Sequence, residues 1–310
     1  MTTVEHEIYP HLQVMKQYYF LGLFVFLLPA ILVAADAKKG YVLTDFMRVT
    51  KPEGKRLPVS YDTAIAHFTD AKNNVEVALI GAVHIGDKEY YVELNEMFKK
   101  YDAVLYELVA EENAKPSNTS ESSEKSILSS FQSGMGSALA LDFQLNHIDY
   151  HAKNMIHADL NPSEFAQRIS ERGDLVQTLY RAMLLGVKKS GQEAQQDELR
   201  MQGRLLGSFF APDPSLSLKR VLAEEMMNQM DDATWVIGGE GSAIITDRNA
   251  AALKVLRQEI KNGKKKIAIF YGAAHLPEFA QSLEKDFQMK HASTHWVIAW
   301  DLTKDKSARK

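Results

Sequence analysis

The chain of 310 residues contains no cysteine. This excludes disulfide staples, Fe–S clusters, Cys-ligated zinc, a thiol nucleophile and a lipid-modified N-terminal cysteine. Any metal must be held by histidine, carboxylate or other oxygen ligands. A basic excess is missing too: 36 Lys and Arg stand against 40 Asp and Glu, the formal net charge is −4, and the longest basic run is Lys264-Lys265-Lys266. Such a surface offers no electrostatic footprint for a phosphate backbone, so nucleic acid is not an expected partner. No GxSxG serine elbow occurs. The glycine-rich Gly238-Gly239-Glu240-Gly241 lacks the GK[ST] ending of a phosphate loop, which leaves nucleotide binding unsupported. With 45% apolar and 25% charged residues, the chain has the composition of one sizeable globular domain or two small ones.

Long hydrophobic runs are scarce, with one exception. Tyr18–Ala35 reads YYFLGLFVFLLPAILVAA, 18 residues interrupted only by Gly22 and Pro29. Ala35 and Ala37 form an AxA arrangement suited to signal peptidase, so residues 1–37 are expected to be a cleaved secretory signal. A retained membrane anchor through residues 18–35 is the rival reading, since about 20 apolar residues span a bilayer. The preceding segment, with Lys16 against Glu5 and Glu7, is a poor positively charged n-region. Either reading places the remaining chain outside the cytoplasm, exported to the periplasm or the extracellular space or anchored on a membrane.

Beyond residue 37, short β-rich runs alternate with helical patterns, the signature of an α/β fold. Val75–Ile80 reads as a strand, Lys88–Lys100 as a helix with Tyr91, Leu94, Met97 and Phe98 on one face, and Ala103–Leu108 as the next strand. The same order returns with Lys266–Tyr271, Glu278–Phe287 and Thr294–Trp300. The expected fold is therefore an open, mainly parallel or mixed sheet built from two similar βαβ units, an internal duplication being one explanation, with a helical insertion. The first unit covers residues 38–110 and the second 236–310. Between them, residues 111–235 comprise a polar loop (Glu111–Ser126) followed by several helices, including Ser163–Arg172 after an Asn161-Pro162-Ser163 start signal and Asp174–Lys189. The insertion is expected to cover the site.

The two units agree at the residue level. The first strand ends in Gly81-Ala82-Val83-His84-Ile85 and the second in Gly272-Ala273-Ala274-His275-Leu276. Both copies sit where a strand hands over to a helix, and ligand groups gather at the carboxyl ends of strands in open α/β sheets. The glycines are expected to permit the turn that aims each imidazole. The following strands end in Tyr106-Glu107 and Trp300-Asp301, which makes Glu107 a primary candidate and Asp301 a secondary one. Two neutral imidazoles plus a carboxylate (His84, His275, Glu107) form an open three-ligand metal site with room for water or a substrate carbonyl. Histidine also suits acid/base work near neutral pH, so metal-free roles stay open.

These residues also carry a family resemblance. GAVHIGDKEYY with a downstream YEL, Asp247-Arg248-Asn249 at a helix start and the terminal FYGAAHLPEF resemble the TraB/Tiki superfamily of GxxH proteins. The likeness covers both βαβ units and the Asp247-Arg248-Asn249 helix, while the helical middle matches only loosely. It implies a metal-dependent peptidase or a regulator of peptide pheromones, with distant relatives among erythromycin esterases and haem-binding proteins. By position it implies His84, His275 and Glu107 as the metal or catalytic set, and Arg248 as a site arginine that orients a carboxylate or steadies an oxyanion.

Asp159, just before the Asn161-Pro162-Ser163 start, is a secondary candidate whose alternative is helix-terminus chemistry, and His157 is weaker still. His6, Glu7 and His11 have the wrong spacing for a zincin helix and flank Pro10. His291 and His295 straddle a strand entry, and His147 and His151 read as ordinary core or surface histidines. The expectation is thus a metal-dependent hydrolase, a peptidase using manganese, cobalt, zinc or iron on a peptide or protein substrate. The alternatives are a non-catalytic peptide- or haem-binding regulator, and a metal-free, esterase-like hydrolase.

Overall fold

The computed structural model describes residues 40–111, 115, 139–188, 192–236 and 241–303. The apolar run at 18–35, His6 and His11, most of the 111–126 loop and Glu240 lie outside the described residues. In chain order the strands are β1 Met47–Thr50, β2 Ser60–Asp70, β3 Val75–Ala82, β4 Ile85–Gly86, β5 Ala103–Tyr106, β6 Asp142–Phe143, β7 Met155–His157, β8 Lys266–Gly272 and β9 Lys290–Asp301. The helices are α1 Lys88–Phe98, α2 Gln144–His147, α3 Pro162–Arg172, α4 Asp174–Lys188, α5 Gln192–Phe209, α6 Pro214–Val236, α7 Arg248–Lys261 and α8 Leu276–Asp286. None of these helices is long and apolar enough to cross a membrane.

The fold is mixed α/β. β3, β8, β5 and β7 are parallel neighbours in that order. β2 runs antiparallel beside β3, and β9 pairs antiparallel along the length of β2. β1 takes the Ser60–Thr63 end of β2.

The continuous apolar text of β3, β5 and β8 has a physical reason: both of their faces are covered. On one face Ala78, Ile80, Val104 and Phe270 pack with Tyr90, Tyr91, Leu94 and Phe98 of α1. On the other, Val77, Leu79, Leu105 and Ile269 pack with Leu253 and Leu256 of α7 and Leu276, Phe279 and Leu283 of α8. The helices of the two βαβ units thus lie on opposite faces. The chain crosses from β3 to β5 over β8, and from β8 to β9 over β3 and β2. The intervening antiparallel β2 is what distinguishes the second unit from the first.

Local signals explain where the helical segment starts and how it is tied down. The Asn161 side chain accepts from the Glu164 N–H at 2.9 Å, Glu164 answers on the Asn161 N–H, Pro162 fills the first turn, and Gly173 closes α3 in the left-handed region at φ 65°. α6 docks on the sheet through Lys219, whose Nζ donates to Asp87 Oδ1 at 3.0 Å with both side chains buried, and through Arg220 Nε, which donates to the Leu302 carbonyl at 2.9 Å. α4 and α5 cover less: Leu179, Tyr180, Met183, Leu199 and Leu206 stay exposed.

Candidate functional site

Adjacent parallel strands open their carboxyl ends on one rim of the sheet, and β3, β8 and β5 are such a set. His84 follows β3, Glu107 follows β5 directly, and His275 closes the single 3-10 turn after β8. All three line one cavity of about 580 Å³. Three residues selected from separate stretches of sequence are thereby brought to one place. A second cavity of about 470 Å³ lies by the β2–β3 turn, at the opposite end of β3, and includes none of the selected residues.

Glu107 is fixed by two donors. Its Oε1 accepts from Arg248 Nη2 at 2.7 Å and its Oε2 accepts from the Gly272 backbone N–H at 2.6 Å. This second bond shows what the glycine does. Gly272 has φ −50°, which any residue tolerates, but a Cβ there would stand 3.2 Å from Glu107 Oε2. Its role is close approach to the carboxylate rather than the expected turn. At Gly81, inside β3, a Cβ would meet only ordinary contacts at 3.5 Å, so the turn expected there has no counterpart.

Arg248 opens α7 and is shared between two carboxylates. Nε donates to Asp159 Oδ1 at 3.0 Å and Nη2 to Asp159 Oδ2 at 2.6 Å, besides the bond to Glu107. The Asp159 side chain is fully buried and holds Arg248 from behind while also accepting from the Leu160 N–H at 2.8 Å, and the cap of α3 is Asn161. Burial works against the Arg248 charge, but Asp159 and Glu107 outweigh it and raise its pKa. Burial likewise pushes the Glu107 carboxyl up, while His275, Arg248 and the Gly272 N–H hold it below the ordinary carboxylate range. Arg248 is therefore a positioning residue, engaged with its anions and not lining the cavity.

The two imidazoles are oriented in the same manner by different partners. Asn249 donates from Nδ2 to the His275 carbonyl at 3.2 Å, which turns its Oδ1 toward His275 Nδ1 at 2.6 Å. His275 must then carry its proton on Nδ1 and present a bare Nε2, which lies 3.9 Å from Glu107 Oε1. Burial pushes His275 down to about 4, against the pull of Glu107, so it is neutral at physiological pH. His84 Nδ1 lies 3.2 Å from Gln144 Oε1, and Gln144 Nε2 donates to the Tyr150 hydroxyl at 2.7 Å. That arrangement likewise leaves His84 Nε2 as the lone-pair nitrogen, on a side chain exposed to solvent.

These features bear on a metal. Two imidazoles with amide-anchored Nδ1 atoms and available Nε2 lone pairs, beside an ionised carboxylate, are the donor types and tautomers a divalent ion requires. Among the described residues, however, no three His, Asp or Glu side chains are gathered closely enough to grip an ion as they stand. The chemistry of the donors fits, and their spacing would have to tighten.

The remaining sequence candidates lie elsewhere. His157 Nε2 bonds the Leu108 carbonyl at 2.6 Å and is not a cavity residue. Asp301 accepts from the Thr303 N–H and hydroxyl, away from the cavity, although its neighbour Trp300 is part of the wall. His147 bonds Asp142 and stacks on Tyr91, and His291 bonds Thr294. Sequence reasoning passed over Gln144, Asn249, Trp300, Leu222 and Met226. Two of them carried a signal: Asn249 stands beside Arg248 at the helix start, and Trp300 beside Asp301 at the strand end. No family model, curated protein or solved structure matches this chain.

Proposed function

We propose that the protein is a hydrolase of the TraB/Tiki type that cleaves peptide bonds outside the cytoplasm, with a divalent ion held by His84, His275 and Glu107. The observation that carries this reading is the convergence of two oriented imidazoles and an ionised carboxylate in one largely apolar cavity. A bound manganese, cobalt, zinc or iron ion would supply Lewis acidity and a nucleophilic water near neutral pH. The chain's own groups do the rest. Asn249 and Gln144 keep each Nδ1 protonated and each Nε2 free. The proton of the attacking water goes to whichever of Glu107 and the two imidazoles is not bound to the ion and returns from it to the departing amine: Glu107, kept ionised by Arg248 and the Gly272 N–H, where the imidazoles hold the ion, or one histidine where Glu107 is a ligand. The apolar run at 18–35 supports delivery to the outside of the cytoplasm or retention on a membrane.

The test is metal content by mass spectrometry, with peptide hydrolysis before and after chelation, for the wild type and for His84→Ala and His275→Ala. Stoichiometric metal lost in both variants, with turnover falling by roughly 10²- to 10⁴-fold, supports the proposal. One observation favours a second reading: both Glu107 oxygens already have donors. If they keep them, His84 serves as a metal-free base, and hydrolysis survives chelation. Intact peptides throughout, or a Soret band on adding haem, would replace hydrolysis by ligand capture.

A further inference from the structure

The cavity has a sharply divided lining. Its polar side chains, His84, Glu107 and His275, belong to the strand ends, and the remainder of its wall is apolar side chain or glycine. Part of that wall is core in origin, with Met47, Ile85 and Trp300, and part comes from α6, with Leu222 and Met226 one turn apart. Lys219 lies on the same helix, three residues before Leu222, and its buried pair with Asp87 locks α6 against the sheet. Arg248 is engaged by Glu107 and Asp159, and among the described residues no lysine or arginine lines the cavity to capture an anionic ligand. At about 30 Å³ for a water-sized group, the volume admits roughly twenty such groups, more than one peptide side chain.

We infer that the apolar part of this cavity is a recognition pocket for an uncharged apolar chain adjoining the carbonyl to be hydrolysed, and that Leu222 and Met226 are specificity-determining residues. The inference rests on the hydrolase reading for the carbonyl, but not for the binding of the chain. Affinity comes from apolar area, so each methylene buried strengthens binding about fourfold until the pocket is full. It is also insensitive to salt, because no ion pair forms. Such a chain could belong to apolar peptide residues or to an acyl group.

Two ligand series separate these sources: N-acetyl tripeptide amides running from all-Ala to all-Leu, and N-acyl glycinamides running from butanoyl to decanoyl. Binding to the full chain is read by quenching of tryptophan fluorescence, with Trp300→Phe identifying the cavity signal, and the ligands are then weighed by mass spectrometry. The expected result is a steep rise in affinity along at least one series, unchanged by salt and flattened in Leu222→Asp. Met226→Glu, at a position 40% exposed, is the second variant should Leu222→Asp fail to fold. The series with the steeper rise identifies the source. Affinity independent of apolar length in both series overturns the inference, even if the peptides are cleaved. A steep rise with every ligand intact upholds the pocket and removes the hydrolase reading instead.

Discussion

The two GxxH copies share a sequence pattern and differ in environment. His84 stands exposed to solvent with its Nδ1 on Gln144, whereas His275 is 4% exposed with its Nδ1 on Asn249 and an ion-paired carboxylate 3.9 Å from Nε2. The difference follows from what lies behind each copy. His84 leads into the short β4–β6 ladder at the surface, while His275 leads into α8 under the cover of α7. A repeated motif has thus placed two imidazoles at one cavity in two settings, one exposed to solvent and one buried and held neutral. Duplicated residues need not have duplicated roles.

The sharpest way to break this contrast is to remove the supporting charge on the buried side. Arg248→Met leaves Glu107 and Asp159 buried without their cation and is expected to cost about 3–5 kcal/mol in urea denaturation. The corresponding change on the exposed side, Gln144→Leu, removes two hydrogen bonds between neutral groups, one to His84, which water can reach, and one to the buried Tyr150 hydroxyl, and should cost about 2 kcal/mol. Equal costs would mean that the two environments are not distinct.

Acid sharpens the same contrast. His275 titrates at about 4 in the folded chain against 6.5 as its ordinary value, so between these pH values the unfolded state binds the proton and the folded state does not. Stability contributed by the neutral imidazole is therefore whole above about pH 6.5, falls as the pH drops toward 4, and is level below that. The loss is on the order of 3 kcal/mol. Denaturation curves with chelator present should show it in the wild type and in His84→Gln, but not in His275→Gln. Glu107, held low, adds a loss of the same sign at more acidic pH. The smallest effect is expected at His157. Its ring bonds the Leu108 carbonyl outside the cavity, so His157→Phe should cost about 1 kcal/mol of stability while turnover stays within about twofold of wild type.

Much of this was legible in the sequence because it is local. The apolar runs of β3, β5 and β8, the one-sided pattern of α1 and the capping signals of α3 state their conformations within a few residues. β2 was not legible: Ser60, Asp62 and Thr63 lie buried in it, and polar residues inside a strand erase the expected alternation. At the site, His84, Glu107 and His275 could be selected because each follows a readable strand. Gln144, Asn249 and the apolar wall could not, since their importance lies in partners 60, 26 and many more residues away along the chain. Asp159 read as helix-start chemistry for the same reason, its actual partner Arg248 being 89 residues distant.

The pairing of β3 with β8 has a consequence in time as well as in space. Glu76 sits opposite Lys266, so the ladder that carries both histidines joins segments 190 residues apart. Non-local parallel pairing forms slowly, because a long loop must close before any contact rewards it. During synthesis, the half-site around His84 must wait until nearly the whole chain has emerged before it meets His275, and until then the apolar edges of β3 and β5 stand unpartnered. The cavity between the two histidines is accordingly also a late seam of the fold, closed only when β8 arrives, and binding in that cavity reports completed folding more strictly than helix content does.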